Sequence, residues 1–164
     1  MRTLTIAAAV MLAAAAPVSA QPTNDELMAP IQKFISSFNK GDTAGAASTH
    51  AAGADLTIVD EVAPYLWRGP KAFHSWGADL EADAKKNGIT ESMVTLSATT
   101  RTETSGDSAY VVVPAVYTFK LKGTPMREAA QMTFVLKKGT SGWLIHGWTW
   151  TGPRAQPAGG GVKK

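Results

Sequence analysis

The stretch Ile58-Val-Asp-Glu-Val-Ala-Pro-Tyr-Leu-Trp-Arg-Gly69 decides the fold of this 164-residue chain. Polar and apolar residues alternate up to Asp60, a turn follows around Pro64, and a second short strand is expected over residues 65–68. Two helical patterns precede the stretch, a third follows it, and four alternating segments then run toward the C-terminus. The order α-α-β-β-α-β-β-β-β predicts an α+β fold in which a cone-shaped, mainly antiparallel sheet curves around three N-terminal helices. Such a shape leaves a pocket, and Asp60 is the acidic group expected to face it. Glu61, the next residue of the alternating strand, is expected to point the opposite way.

Residues 1–20 have the pattern of a cleaved export signal. Arg2 gives a positive start, an apolar run covers residues 4–16, and Val18-Ser-Ala20 is a small-residue cleavage site. The run is too short to cross a bilayer, which needs about 20 apolar residues. We therefore expect cleavage after Ala20, a bacterial protein that is periplasmic or secreted, and no stable membrane insertion after cleavage. The folded domain is then expected over residues 21–151, and a flexible Pro- and Gly-rich tail over residues 152–164.

The composition argues against several classes of function. The chain has no cysteine, which rules out thiol catalysis and Cys-ligated metal sites. The formal net charge is only +3 and no basic stripe forms, so nucleic-acid binding is not expected. His50, His74 and His146 lack the spacing of zinc ligands. No phosphate-binding loop, nucleophile elbow or dinucleotide fingerprint is present either, so we expect neither a metal nor a cofactor.

The helices have recognisable ends in the sequence. Thr23 and Glu26 have the spacing of a capping box, and apolar residues then recur at helical spacing as far as the residues before Gly41. Pro30 interrupts this pattern, so regular helix is expected to begin near Ala29. A second, Ala-rich helix should reach about residue 50. A third should begin at residues 69–70, with a proline in its first turn, and end at residues 87–88.

From residue 89 the periodicity becomes that of strands. Strands are expected over residues 93–102, 108–121, 128–137 and 143–151, separated by glycine-containing turns. The second of these is apolar on both faces from Val111 to Val116 and should therefore be central. Pro114 within it cannot donate a hydrogen bond to a neighbouring strand, which predicts a bulge and a bend of the sheet at that point.

Three motifs carry a resemblance to a known superfamily. They are Phe38-Asn-Lys-Gly-Asp42 at the end of the first helix, the stretch from Ile58 to Gly69, and Gly142-Trp-Leu-Ile-His-Gly-Trp-Thr-Trp150 in the last strand. Their order and spacing resemble the nuclear-transport-factor-2-like superfamily, which includes SnoaL-like proteins and ketosteroid isomerases. The resemblance implies a cone of helices and sheet around an apolar cavity, and often a homodimer formed through the sheet. It does not choose between enzyme and binding protein, because this fold hosts both.

The resemblance also bears on individual residues. Asp60 falls where ketosteroid isomerases have the aspartate that moves a proton. Such a base needs a hydrogen-bond donor for the enolate oxygen, which those enzymes take from a tyrosine on the first helix and an aspartate on the penultimate strand. The corresponding positions here are Phe34 and Phe134, neither of which can donate. This departure argues against ketosteroid isomerisation itself.

The candidate catalytic residues each have two interpretations. Asp60 acts as a pocket acid or base, or it caps the turn before Pro64 or pairs with Arg68. His146 is expected to share a strand face with Trp148 and Trp150. It meets Asp60 across the pocket if that face is concave, and belongs to an aromatic dimer surface if it is convex. Tyr65 donates into the pocket mouth or packs at its rim.

Aromatic side chains are the candidate ligand contacts. The chain has 5 tryptophans, which offer broad apolar contact and one N–H donor each. Core packing and cavity lining are the two roles open to them. The residues selected as ligand-binding candidates are Phe34, Trp67, Tyr117, Phe134, Trp148 and Trp150.

Three functions remain possible from the sequence. The first is a module that binds a small, largely apolar molecule without turnover. The second is a cofactor-independent isomerase, lyase or cyclase in which Asp60 abstracts a proton. The third is a homodimeric interaction domain whose interior is packed shut. Two convergent polar groups in one cavity favour the enzyme, and the absence of a cavity favours the interaction domain.

Overall fold

The structure, a computed structural model, describes residues 21–159, so the expected signal at residues 1–20 lies outside it. The described part of the chain contains three helices and one 8-stranded sheet. The elements in chain order are α1 (Asn24–Asn39), α2 (Thr43–Ala47), β1 (Thr57–Val59), β2 (Leu66–Arg68), α3 (Ala72–Asn87), β3 (Ile89–Leu96), β4 (Arg101–Ser105), β5 (Ser108–Leu121), β6 (Thr124–Gly139), β7 (Gly142–Thr151) and β8 (Gln156–Pro157).

Helix α1 begins earlier than the sequence predicts. The capping box is confirmed, since Glu26 N donates to Thr23 Oγ1 at 3.2 Å and Thr23 N donates to Glu26 Oε2 at 2.8 Å. The expected start near Ala29 is wrong, because the helix continues through Pro30. The cap secures the first turn, and one face of the helix is buried from Leu27 onward. These two contributions outweigh the backbone hydrogen bond that proline cannot make.

The other two helices differ from expectation only at their ends. Helix α2 is shorter than expected and ends at Ala47, with Asp42 as its cap through a 2.8 Å bond from Gly45 N to Asp42 Oδ1. Helix α3 begins at Ala72, so the proline at position 70 precedes it. It ends at Asn87 as predicted, and Gly88 follows in the left-handed conformation with φ 71°.

The strands form one curved, open and mostly antiparallel sheet. Its order is β2-β1-β7-β6-β5-β3, with β4 also paired to β5 and β8 to β6. The β1–β7 pair is parallel, and the other pairs are antiparallel. The α+β fold predicted from the sequence is therefore confirmed.

Pro114 acts differently from expectation. It stays in register with Gln131 of β6, so no bulge forms there. On its other side the strand predicted over residues 93–102 is divided into β3 and β4, and residues 97–100 between them leave the regular ladder. Ser97 N donates to Pro114 O at 2.9 Å. The proline nitrogen, which has no hydrogen to donate, therefore faces residues 97–100, where the regular ladder is interrupted.

The helices cover one face of the sheet and share a single core with it. Phe34 and Ile31 of α1, Trp76 of α3, and Phe134 and Ile145 of the sheet all belong to this core. The tail expected after residue 151 includes strand β8, which pairs with Met126 and Arg127 of β6. None of the helices within residues 21–159 has the length and apolar character needed to span a membrane.

Candidate functional site

A cavity of about 360 Å³ lies between helices α1 and α3 and the curved sheet. Its volume is within the range of small-molecule sites, and most of its wall is apolar. The apolar and aromatic lining residues include Phe34, Ile35, Phe38, Phe73, Trp76, Leu80, Val94, Tyr117, Phe119, Met132, Trp148 and Trp150. The interior is therefore not packed shut, which argues against a domain with a filled core.

Asp60 lies in the wall of this cavity, directly after β1 ends at Val59. Its Oδ2 accepts a hydrogen bond from Trp76 Nε1 at 2.6 Å, and its Oδ1 accepts one from Glu61 N at 2.6 Å. Burial raises the pKa of Asp60 above its usual value, while these two hydrogen bonds act in the opposite direction. Helix α3 and the first residue of the turn thus fix the orientation of the carboxylate, and Arg68 is not its partner.

Glu61 lines the same cavity, although strand alternation predicts the opposite direction for it. Strand β1 stops two residues earlier, so the alternation no longer applies at this position. Its neighbour Glu128 on β6 has only 1% of its surface exposed, and Glu128 Oε1 accepts a hydrogen bond from Trp150 Nε1 at 2.8 Å. Burial and the adjacent Glu128 carboxyl raise the pKa of Glu61 to about 7. Glu61 therefore gains or loses its proton near neutral pH.

Tyr117 supplies a hydroxyl to the same region. Its oxygen lies 2.8 Å from Ser92 Oγ, and both residues line the cavity. Burial, together with the carboxyls of Glu61 and Asp60, raises the pKa of Tyr117 above its usual value. The phenol therefore keeps its proton, and it can donate to a bound molecule.

His50 supports the cavity wall from behind and does not line it. Its Nδ1 lies 3.0 Å from Ala46 O, which assigns the proton to Nδ1, and its Nε2 accepts from Trp148 Nε1 at 3.1 Å. Phe34 and Phe73 pack against the imidazole with ring centroids 4.8 and 4.4 Å away. Burial lowers the pKa of His50 to about 4, so the ring is neutral at pH 7.

His146 lies outside the cavity and does not meet Asp60. A register shift between Val135 and Leu136 of β6 leaves His146 as the extra residue on β7, which reverses the alternation of that strand. Trp148 therefore lines the cavity, whereas His146 Nδ1 lies 3.0 Å from Asp55 Oδ2. This hydrogen bond holds the pKa of Asp55 below its usual value. The assumption that His146 and Trp148 share one face is wrong because of the bulge.

Three further candidates also lie away from the cavity. Tyr65 is 60% exposed and is not among the lining residues, since the turn directs it into solvent. Trp67 is buried, but its Nε1 donates to Asp79 Oδ2 at 2.8 Å beside α3. Phe134 is fully buried in the hydrophobic core. The remaining candidates, Phe34, Tyr117, Trp148 and Trp150, do line the cavity.

Glu128 is the site residue that the sequence interpretation overlooked. Strand β6 presents Met132, Phe134 and Leu136 inward at alternate positions, and Glu128 lies on the same face two residues before Ala130. Extending the apolar pattern backward by two steps would have revealed a carboxylate on a core-facing position. The described residues 21–159 contain no group of three or more His, Asp or Glu side chains arranged to hold a metal ion.

Comparison with known proteins gives matches in structure only. No protein-family model matches the sequence, and no curated protein matches it. A nuclear transport factor 2-like superfamily protein from Salmonella enterica serovar Typhimurium superposes with a TM-score of 0.65 at 16% identity, over 84% of this chain and 95% of the other. A ketosteroid isomerase-like protein from Erwinia carotovora atroseptica gives 0.60 at 19% identity, over 80% and 99% of the two chains.

A third solved structure is that of a hexachlorocyclohexane dehydrochlorinase, LinA type 2. It superposes with a TM-score of 0.61 at 16% identity and covers 82% of this chain and 90% of the other. At identities this low, the likeness concerns the fold. The activity of each neighbour remains a property of that neighbour.

Proposed function

We propose that this chain, which has the nuclear-transport-factor-2-like fold, binds a small and largely apolar molecule in the cavity between α1, α3 and the sheet. The observation that carries the proposal is the open volume of about 360 Å³ inside an otherwise packed core. Native cores rarely leave such space unfilled, and apolar walls with a few convergent polar groups are typical of ligand sites. Asp60, Glu61 and Tyr117 supply the polar groups here.

Gly77 offers a direct test of this proposal. It lies on α3 and lines the cavity, and a Cβ added there would meet no atom within 4 Å. The side chain in Gly77→Leu would enter the cavity, whereas Ala78→Leu on the exposed side of the same helix would not. Native mass spectrometry of protein purified from its own host should show a bound small molecule on the wild type and on Ala78→Leu. It should be missing from Gly77→Leu. An equal bound mass on Gly77→Leu, or none on the wild type, would contradict the proposal.

A second candidate function is proton transfer by Asp60 without a cofactor. It is favoured by the fixed orientation and raised pKa of this carboxyl, which is a stronger base than a solvated aspartate once ionised. The Tyr117 hydroxyl in the same cavity supplies a donor of the kind that Phe34 and Phe134 lack. Two convergent polar groups therefore support an isomerase or lyase acting on a carbon acid.

Deuterium incorporation tests this second candidate. The wild type should promote exchange of the α-protons of a small aromatic ketone, such as 2-tetralone, in deuterated buffer followed by NMR. Asp60→Asn keeps the shape and an acceptor oxygen but removes the base. We expect it to slow the exchange by about 100-fold or more, in the range usual for loss of a general base. Equal exchange rates for the wild type and Asp60→Asn would eliminate Asp60 as the base and leave the binding proposal intact.

A further inference from the structure

We propose that the cavity selects a cationic ligand, an apolar body that ends in a protonated amine, held against the carboxylates of Asp60 and Glu61, with the buried Glu128 carboxyl next to Glu61. This inference rests on the proposed binding function and specifies the ligand class of the same site. It depends on the placement of charge around the cavity, on the partners of each carboxylate, and on the aromatic walls.

The charges around the cavity are of one sign. The charged residues among those that line it are all acidic, namely Asp60, Glu61, Glu81 and Asp83. No lysine, arginine or histidine belongs to the lining within the described residues 21–159. Glu128 adds a further carboxyl directly behind Glu61. An anionic ligand would therefore be repelled, and a cation attracted, by every charged group of the wall.

Two of these carboxyls are held by neutral donors. Asp60 receives its hydrogen bonds from the Trp76 indole and the Glu61 amide, and Glu128 receives one from the Trp150 indole. None of the ion pairs found among residues 21–159 includes Asp60, Glu61 or Glu128. Buried carboxylates are usually paired with a cation, because burial removes the water that otherwise stabilises their charge. A ligand ammonium group would supply the missing partner.

The walls suit the remainder of such a ligand. Trp76 and Trp148 meet edge to face with centroids 5.0 Å apart, and Tyr117 and Trp150 do so at 6.2 Å. These rings give broad apolar contact for a carbon skeleton, and their faces attract a cation within about 6 Å. Trp76, which holds Asp60, therefore lies where an ammonium group could contact both a ring and a carboxylate.

Binding of an ammonium group should also change the protonation of Glu61, which gives a second measurable effect at the same site. The groups around Glu61 are Asp60 beside it in the chain, Asp83 on α3, Tyr117 on β5 and Glu128 on β6. Burial and the carboxyls among these groups raise the pKa of Glu61 to about 7. An alkylammonium group keeps its proton to about pH 10, as the Lys side chain does. Its arrival would stabilise the ionised form of Glu61, so binding near pH 7 should release a proton to the buffer.

Three probes of one size and different charge test the inference by isothermal titration calorimetry. They are 2-phenylethylamine, 2-phenylethanol and phenylacetate, which are cationic, neutral and anionic at pH 7. The amine should bind at least about tenfold more tightly than the alcohol, because only the cation forms a hydrogen bond in which both donor and acceptor are charged. Phenylacetate should bind most weakly. Repeating the amine titration in buffers of different ionisation enthalpy should reveal the released proton.

Substitutions of single glutamates show which carboxyls cause the preference for the amine. Glu61→Gln and Glu128→Gln should each reduce the preference for amine over alcohol and abolish the proton release. Glu103→Gln, on the exposed strand β4, should change neither. Equal affinity for amine and alcohol would overturn this inference while leaving the binding function supported. Failure of all three probes to bind would count against both. Displacement of the amine by millimolar Ca²⁺ would overturn the assignment of an organic cation.

Discussion

At the residue scale, the cavity is kept in shape by tryptophan indole N–H groups that donate hydrogen bonds to acceptors inside the protein. Trp76 donates to Asp60, Trp150 to Glu128 and Trp148 to His50. Each bond gives a donor to one acceptor atom, Asp60 Oδ2, Glu128 Oε1 or His50 Nε2. The tryptophans therefore have two functions, since one edge orients a polar residue while the ring faces the cavity.

His50 should make the stability of the protein depend on pH. Its pKa is lowered to about 4 in the folded state, from 6.5 in the unfolded chain. Between these values the unfolded state binds more protons, so stability is complete above pH 6.5 and falls as the pH is lowered toward 4. The loss should reach roughly 3 kcal/mol, from about 1.4 kcal/mol for each unit of pKa difference.

Denaturant unfolding of the wild type and His50→Gln at pH 7.5, 6, 5 and 4 measures this contribution. The wild type should lose more free energy of unfolding than the variant over that range. His74→Gln, at an exposed position on α3, is the matched control and should follow the wild type. Parallel curves for the wild type and His50→Gln would show that His50 makes no such contribution.

Asp60 should have the opposite dependence on pH. Its pKa is raised in the folded state, mainly by burial. Above about pH 3.8 the folded state therefore binds more protons than the unfolded state. Ionised Asp60 therefore lowers the stability at neutral pH relative to acid. Asp60→Asn removes this ionisation, so its free energy of unfolding relative to the wild type, measured with denaturant, should be higher at pH 7 than at pH 3.5. A relative stability that is unchanged or lower at pH 7 than at pH 3.5 would contradict the assigned pKa direction.

At the scale of the elements, one asparagine joins helix α1 to the sheet. Asn39 Nδ2 donates to Val94 O at 2.8 Å, and Val94 N donates to Asn39 Oδ1 at 2.8 Å. The amide thus pairs with strand β3 as a neighbouring strand would, at the end of the helix. This contact determines how far α1 stands from β3, and both elements contribute walls of the cavity.

Asn39→Ala should lower the free energy of unfolding by about 1–3 kcal/mol, because it leaves two backbone groups of Val94 without partners. Asn87→Ala is the matched control at the end of α3, where the amide bonds only to Asp83 within its own helix. Chemical denaturation should show the larger loss for Asn39→Ala. Equal losses of free energy for the two variants would indicate that the bonds between Asn39 and Val94 add nothing beyond the ordinary contribution of a residue at the end of a helix.

The elements show which parts of the structure can be predicted from sequence. The resemblance carried by the Ile58–Gly69 stretch and the order of elements are confirmed, because hydrophobic period and turn residues are local properties. The direction of His146 was not predictable, since it depends on a bulge whose two strands are brought together only by the fold. Glu61 was misassigned for a related reason, because β1 ends earlier than its alternating pattern does.

At the scale of the whole molecule, the curved sheet and two helices enclose a space with an apolar body and an acidic end. The acidic end is built from distant parts of the chain, with Asp60 and Glu61 after β1, Tyr117 on β5 and Glu128 on β6. No sequence motif joins these residues, and only their shared direction in the folded sheet brings them together. This is why the site as a whole could not be assembled from sequence, although Asp60 was selected and the inward position of Glu128 follows from the alternation of β6.

The most direct test of the cavity as a ligand site uses the indole N–H signals of the 5 tryptophans. In ¹⁵N-labelled protein, titration with 2-phenylethylamine should shift the signals of Trp76, Trp148 and Trp150, which line the cavity. The signals of Trp67 and Trp143, which do not line it, should stay in place. Single Trp→Phe variants assign the five signals. Shifts confined to Trp67 and Trp143, or no shift of any indole at saturating amine, would contradict a ligand site between α1, α3 and the sheet.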